Sequence, residues 1–129
     1  MKYSKEIIIP FHWVDHAGVL FFARASELFH ILLEDYMISQ KKWDLYFSNP
    51  DYAFPIKSIT TNFHKKIGAG DQVIGSIEVL EIRDKGFSLA FKVEQKDQLA
   101  IDATSVHICV SKHENKAVAL PQSVLDLFK

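Results

Sequence analysis

Residues 22–40, FARASELFHILLEDYMISQ, decide the fold. Phe22, Ala25, Phe29, Leu32, Leu33 and Tyr36 recur at steps of three and four, the spacing that gathers side chains on one face of an α-helix. Leu28, Ile31 and Met37 widen that stripe beyond the width of an ordinary surface helix. A helix apolar around so much of its circumference expects cover on more than one side.

On both flanks of this helix the period drops to two. Residues 3–13 read as a strand with Ile7, Ile9, Phe11 and Trp13 on one face, and Asp15-His16-Ala17-Gly18 breaks the pattern. Residues 41–54 read as an irregular connection ended by Pro50 and turn formers. Strand-like segments follow near 55–64, 72–82, 86–95 and 99–111. Within them Phe87-Ser88-Leu89-Ala90-Phe91-Lys92-Val93-Glu94 alternates cleanly, so one face is buried and the other wet. Gly68, Gly70 and Asp71 mark one turn; Asp84-Lys85-Gly86 and Lys96-Asp97-Gln98 mark tight hairpins. Pro121 opens a short terminal helix reaching Phe128. The order is strand, long helix, then four strands: an α+β class in a single domain over 1–129. An antiparallel sheet must bury a face and a broadly apolar helix needs a wrapper, so a sheet curled around the helix satisfies both.

Bulk composition narrows the function. The chain has 129 residues, 48% apolar and 24% charged, an ordinary globular mixture. Fifteen Lys and Arg against sixteen Asp and Glu leave a net charge of -1, so no basic field holds a nucleic acid. No apolar run approaches a membrane span, and the three isoleucines near the N-terminus are too short for a signal peptide. The expectation is a cytoplasmic protein without a membrane partner. Cys109 stands alone in a strand pattern and reads as a buried, inert thiol suited to a reducing compartment. His12 and His16 flank the strand end, the other histidines are scattered and no His-x-x-x-His pair recurs on the helix. No metal is therefore expected, and His107, alternating with Cys109, reads as structural.

Asp15 is the most informative acid. It follows a strand, precedes a turn containing Gly18, and lies just before the helix. The first turn of a helix has free N–H groups and a positive dipole end, which would stabilise the oxyanion formed from a carbonyl placed there. Asp15 could attack that carbonyl or activate a water. Alternatively it caps the helix or builds the turn, and on the residues alone that reading leads, since turn aspartates are common.

Asp15-His16-Ala17-Gly18-Val19-Leu20-Phe21-Phe22 resembles the signature of the 4-hydroxybenzoyl-CoA thioesterase family. The likeness continues through Ala53-Phe54-Pro55-Ile56, Gly70-Asp71 and Leu120-Pro121-Gln122, so it spans nearly the whole chain. The resemblance implies a hot-dog fold, catalysis by Asp15 and oxyanion donation by the Phe22 backbone N–H. It implies no cofactor, since coenzyme A belongs to the substrate, and a homodimer or homotetramer. Within the family the pattern is similar to 1,4-dihydroxy-2-naphthoyl-CoA thioesterases of menaquinone and phylloquinone biosynthesis. There His30 would meet an aromatic hydroxyl. His16 stands where relatives carry Pro or Gly, and either tunes the adjacent Asp15 as a substrate-side contact or is a solvent-facing turn residue. Ser26, one turn before His30, is a candidate polar group of the substrate pocket. Arg83 and Lys85 resemble a basic turn that contacts the CoA phosphates, with Lys65 and Lys66 as a second candidate pair. One departure is Trp13, where many members carry an acid. A short- or medium-chain acyl-CoA or acyl-carrier-protein thioesterase, and a non-catalytic acyl-CoA-binding module, remain the alternatives.

Overall fold

A computed structural model describes residues 1–129. Strand β1 (Lys2–Ile8) is shorter than the period-two pattern predicts. Pro10, at φ -65 and ψ 147, has no N–H to continue the ladder, and Phe11–Trp13 closes into a single 3-10 turn. That turn corrects the expected strand face. Ile9 and Trp13 are buried, whereas Phe11 is rotated out to 84% exposure.

Helix α1 (Phe22–Ser39) buries Ala25, Leu28, Phe29, Leu32, Leu33, Tyr36 and Met37, a single continuous stripe. Phe22 and Ile38 fall outside it, at 68% and 58% exposure, so the helix is covered on one side in this chain. The cover is an antiparallel sheet. Beyond α1 come α2 (Trp43–Phe47), β2 (Tyr52–Ala53), β3 (Ile56–Phe63), β4 (Gln72–Arg83), β5 (Gly86–Gln95) and β6 (Gln98–Ile108). Five strands join in the order β1-β4-β5-β6-β3, which leaves β3 at an edge.

Register fixes which side chains meet the helix. Phe87, Leu89, Phe91 and Val93 of β5 pair with His107, Ser105, Ala103 and Ile101 of β6, and all eight are buried. Phe29 stacks on Phe91 with ring centroids 5.0 Å apart. The helix crosses β4 at Gly75, where a Cβ would lie 3.1 Å from the Leu32 and Ile7 methyl groups. A bulge between Val79 and Glu81 bends β4, the device by which a sheet curls. The last turn of α1 is tied down by the Tyr36 hydroxyl, which donates to Leu127 O at 2.6 Å in α3 (Gln122–Leu127), after β7 (Val110–Ser111) and β8 (Lys116–Ala117).

The segment expected to be irregular, 41–54, contains α2 and β2. Strands β2, β7 and β8 form a second small sheet. Its link to α2 is held by Asn49, which accepts from the N–H groups of Asp51 and Tyr52 and donates to Leu45 O. No helix is long and apolar enough to cross a membrane.

Candidate active site

The loop before α1 is built around Asp15. Val14 bridges Leu20, the Asp15 N–H donates to Val19 O at 2.8 Å, and the Gly18 N–H returns to Asp15 O at 2.9 Å. Gly18 takes φ +78, which a residue without Cβ adopts at little cost. The Asp15 side chain closes the same turn: Oδ1 accepts from Ala17 N–H at 2.9 Å and Val19 N–H at 3.1 Å. The turn-building reading is therefore correct for Oδ1. Oδ2 has no partner in the chain, and the residue is exposed.

The helix that follows begins bare. Phe21 is extended at φ -66 and ψ 131, and no side chain caps α1. The Phe22 and Ala23 N–H groups meet no acceptor, so the positive end of the helix dipole faces open space. A cleft of about 360 Å³ brings Asp15 and Phe22 together with Lys65 and Lys66, between apolar walls that include Phe21 and Phe63. His64 also lines it, a residue that its scattered sequence position did not single out. Its Nε2 lies 3.0 Å from Asp102 Oδ2, while Asn62 donates to Oδ1 at 2.9 Å. Those two partners, Asn62 first, hold the Asp102 carboxyl below its usual range. The sequence signal for His64 was its place directly before the Lys65-Lys66 pair.

Other candidate residues lie elsewhere. His16 and Ser26 are exposed and outside the cleft lining. His30 pairs through Nδ1 with Glu34 Oε2 at 2.7 Å and lines a separate cavity with Tyr46, Phe54 and His107. Arg83 and Lys85 border a third cleft with Lys57, and Arg83 is paired with Glu81 at 3.0 Å. Within one chain, then, Asp15, Phe22, Lys65 and Lys66 converge, whereas His30, Arg83 and Lys85 do not join them.

A family model described as the thioesterase-like superfamily matches residues 9–128. A 1,4-dihydroxy-2-naphthoyl-CoA hydrolase of Nostoc punctiforme is 24% identical over 126 residues, 97% of this chain and 85% of that relative. Among solved structures, a 1,4-dihydroxy-2-naphthoyl-CoA thioesterase from Synechocystis matches with TM-score 0.89 at 21% identity, over 99% of this chain and 96% of that one. A gentisyl-coenzyme A thioesterase matches with TM-score 0.82 at 16% identity, over 98% of both chains. At these identities the structural matches establish the fold.

Proposed function

We infer the function from one premise: the chain belongs to the thioesterase-like superfamily and has the hot-dog fold. It hydrolyses an acyl-CoA thioester to the free acid and coenzyme A. The acyl group we propose is aromatic and hydroxylated, of the 1,4-dihydroxy-2-naphthoyl or hydroxybenzoyl kind.

The observation that carries this reading is that Asp15, with Oδ2 free, lines one cleft with Phe22, at a helix start whose Phe22 and Ala23 N–H groups are unpaired. A thioester carbonyl oxygen placed on those N–H groups gains its negative charge where donors and the helix dipole already wait for it. Oδ2 either adds to the carbonyl carbon or takes a proton from a water that does so. Collapse of the tetrahedral species breaks the C–S bond and releases the CoA thiolate. In the first case water then hydrolyses the acyl-Asp15 anhydride, restoring the carboxylate. Lys65 and Lys66, on the rim of the same cleft, supply positive charge for the CoA phosphates.

The open side of the cleft supports a homodimer, or a tetramer of such dimers. Phe22 and Phe63 both line it and remain 68% and 49% exposed in a single chain. A second copy would cover them and bring its own His30, Arg83 and Lys85 within the reach of a long CoA ester. The free, buried Cys109 suits the cytoplasmic setting we assign to the enzyme.

The test is thiol release from a panel of aromatic and aliphatic acyl-CoA esters by the wild type and Asp15→Asn. We expect fastest turnover with a hydroxyaryl ester and a fall of roughly a thousandfold in kcat for the variant. Unchanged turnover by Asp15→Asn removes the mechanism. Equal rates across the panel remove the acyl assignment.

A further inference from the structure

The carboxyl of Asp102 on β6 gathers two side chains from the end of β3. Its neighbours Ile101 and Ala103 are buried, so Asp102 itself points to the wet face of the sheet. Asn62 stands opposite it on β3 and donates to Oδ1 at 2.9 Å. His64, two residues further on, brings Nε2 to 3.0 Å from Oδ2. Asn62 and then His64 keep this carboxyl ionised, below its usual range. An ionised carboxylate only accepts, so a ring proton sits on Nε2. The imidazole is thus committed to Asp102 on the wet face rather than to Asp15.

The peptide that His64 begins is what reaches the cleft. Lys65 and Lys66 follow directly and line it, and neither pairs with an acid in the chain. Strand β3 has ended at Phe63, and the ladder gives way to a bulge. There the His64 and Lys65 N–H groups both donate to Ala100 O, at 2.7 and 3.1 Å. The next tie is Ile67 O, which accepts from the Leu20 N–H at 2.7 Å, and Gly68 bridges Val19 beyond it. Between these points Lys66 makes no backbone hydrogen bond. The His64–Asp102 contact is the one side-chain bond made by residues 64–67. Two long, flexible side chains on so lightly bonded a stretch lose much freedom when they close on an anion, and a fixed backbone reduces that loss.

We propose that His64 is a positioning residue for phosphate recognition: its bond to Asp102 fixes the segment from which Lys65 and Lys66 meet the phosphates of a CoA ester. This rests on the thioesterase reading, which gives those lysines the phosphates. Because the ring does not touch the reacting atoms, its effect falls on KM and spares kcat. The bond also responds to pH. On the acid side of the ordinary histidine range the pair is imidazolium with carboxylate and holds tightly; on the alkaline side a weaker neutral hydrogen bond remains. This contribution therefore raises KM as pH climbs from about 5.5 to 8. The other charged group acting on Asp102 is Lys92, opposite it on β5. Lysine stays charged throughout that window, so Lys92, Lys65 and Lys66 add no titration of their own.

The experiment compares the full-length wild type with His64→Ala, His64→Gln and Asp102→Asn. The substrates are a hydroxybenzoyl-CoA ester and the N-acetylcysteamine thioester of the same acid, which carries no phosphate. At pH 6 the KM of His64→Ala for the CoA ester is expected to rise about fivefold with kcat held, the upper worth of a half-exposed ion pair. For the short thioester both constants hold. Glutamine still donates to Asp102 but never charges, so His64→Gln falls between the two at pH 6 and joins the wild type at pH 8. The wild-type to glutamine ratio of KM cancels the ionisation of the phosphates themselves. Asp102→Asn removes the charge from the other side and flattens the same profile. Equal loss for both esters, a loss confined to kcat, or a KM ratio that does not move with pH overturns the proposal. Calorimetric titration with coenzyme A and with pantetheine reads the effect without turnover: His64→Ala binds the first about fivefold more weakly at pH 6 and the second unchanged. If the wild type cleaves neither ester, the thioesterase reading falls while the titration still decides the role of His64. A wild type that does not bind coenzyme A overturns that role.

Discussion

At Asp15 the two carboxylate oxygens have separate duties, and substitutions can divide them. Asparagine keeps an acceptor at Oδ1 for the Ala17 and Val19 N–H groups but loses the charge at the second position. Asp15→Asn therefore holds the loop while turnover collapses. Asp15→Ala loses both, with about 1 kcal/mol of stability gone in urea unfolding, the usual worth of such a turn contact. Equal destabilisation by both variants would mean that charge, not the acceptor, holds the turn. His107 offers a different measurement. Burial lowers its pKa from 6.5 to about 4, so between those values the unfolded chain binds a proton that the folded chain refuses. Stability consequently falls as pH drops from 6.5 towards 4, by about 3 kcal/mol in all, and this contribution levels off below. His107→Gln should flatten that part of the profile in urea midpoints taken from pH 7 to 4.5; an unchanged slope would assign it to other groups. Sequence placed Asp15 before the helix and His107 on a strand face. It could not reveal which oxygen was free, nor that His107 borders a cavity, because Tyr46 and Phe54 come from a distant segment.

Among the elements, the ones legible in sequence were those long enough to repeat a period. Helix α1 ends at Ser39, one residue from its expected limit, and β4 and β5 lie where alternation puts them, whereas the strand expected over 99–111 divides at Cys109 into β6 and β7, which belong to different sheets. The losses have local causes. Pro10 cuts β1 short, and α2, with five residues, is too brief to repeat a helical stripe even though Tyr46 in it is buried. Strands β2, β7 and β8 have two residues each and exist only because they pair with one another. The stripe on α1 also proved narrower than the apolar count suggests, since Phe22 and Ile38 lie off it. Where helix and sheet meet, Gly75 sets the separation. A Cβ there would sit 3.1 Å from the Leu32 and Ile7 methyl groups, an approach that those side chains can relieve only by shifting slightly. Gly75→Val adds two further carbons and wedges α1 from β4. The expected cost is about 1–3 kcal/mol, read as a lowered urea midpoint with unchanged cooperativity. A neutral result would indicate that the helix rides more loosely on β4 than its buried stripe implies.

For the whole molecule, the unpaired flank sets the remaining question. Strand β3 bonds only β6, so its outer edge carries free N–H and C=O groups. Ile56, Ile59 and Phe63 on that strand are 50%, 41% and 49% exposed, an apolar edge that a lone chain would keep wet. Pairing β3 antiparallel with its own copy is self-complementary, as a two-fold interface requires. It would set the Phe63 end of one strand beside the Ile56 end of the other, and so the Asp15 cleft of one chain beside the aromatic cavity of the next. Substituting Ile59, near the middle of the strand, tests that geometry at little cost to the single chain, because its side chain is already partly in water. Sedimentation is expected to find the wild type as a dimer or larger and Ile59→Asp as a monomer, since opposing carboxylates would meet at the axis. Activity on a hydroxyaryl-CoA ester should fall at least about tenfold with the change of mass, because the open Asp15 cleft then loses the cover of a second copy. A monomeric variant with full activity would place the entire site within one chain.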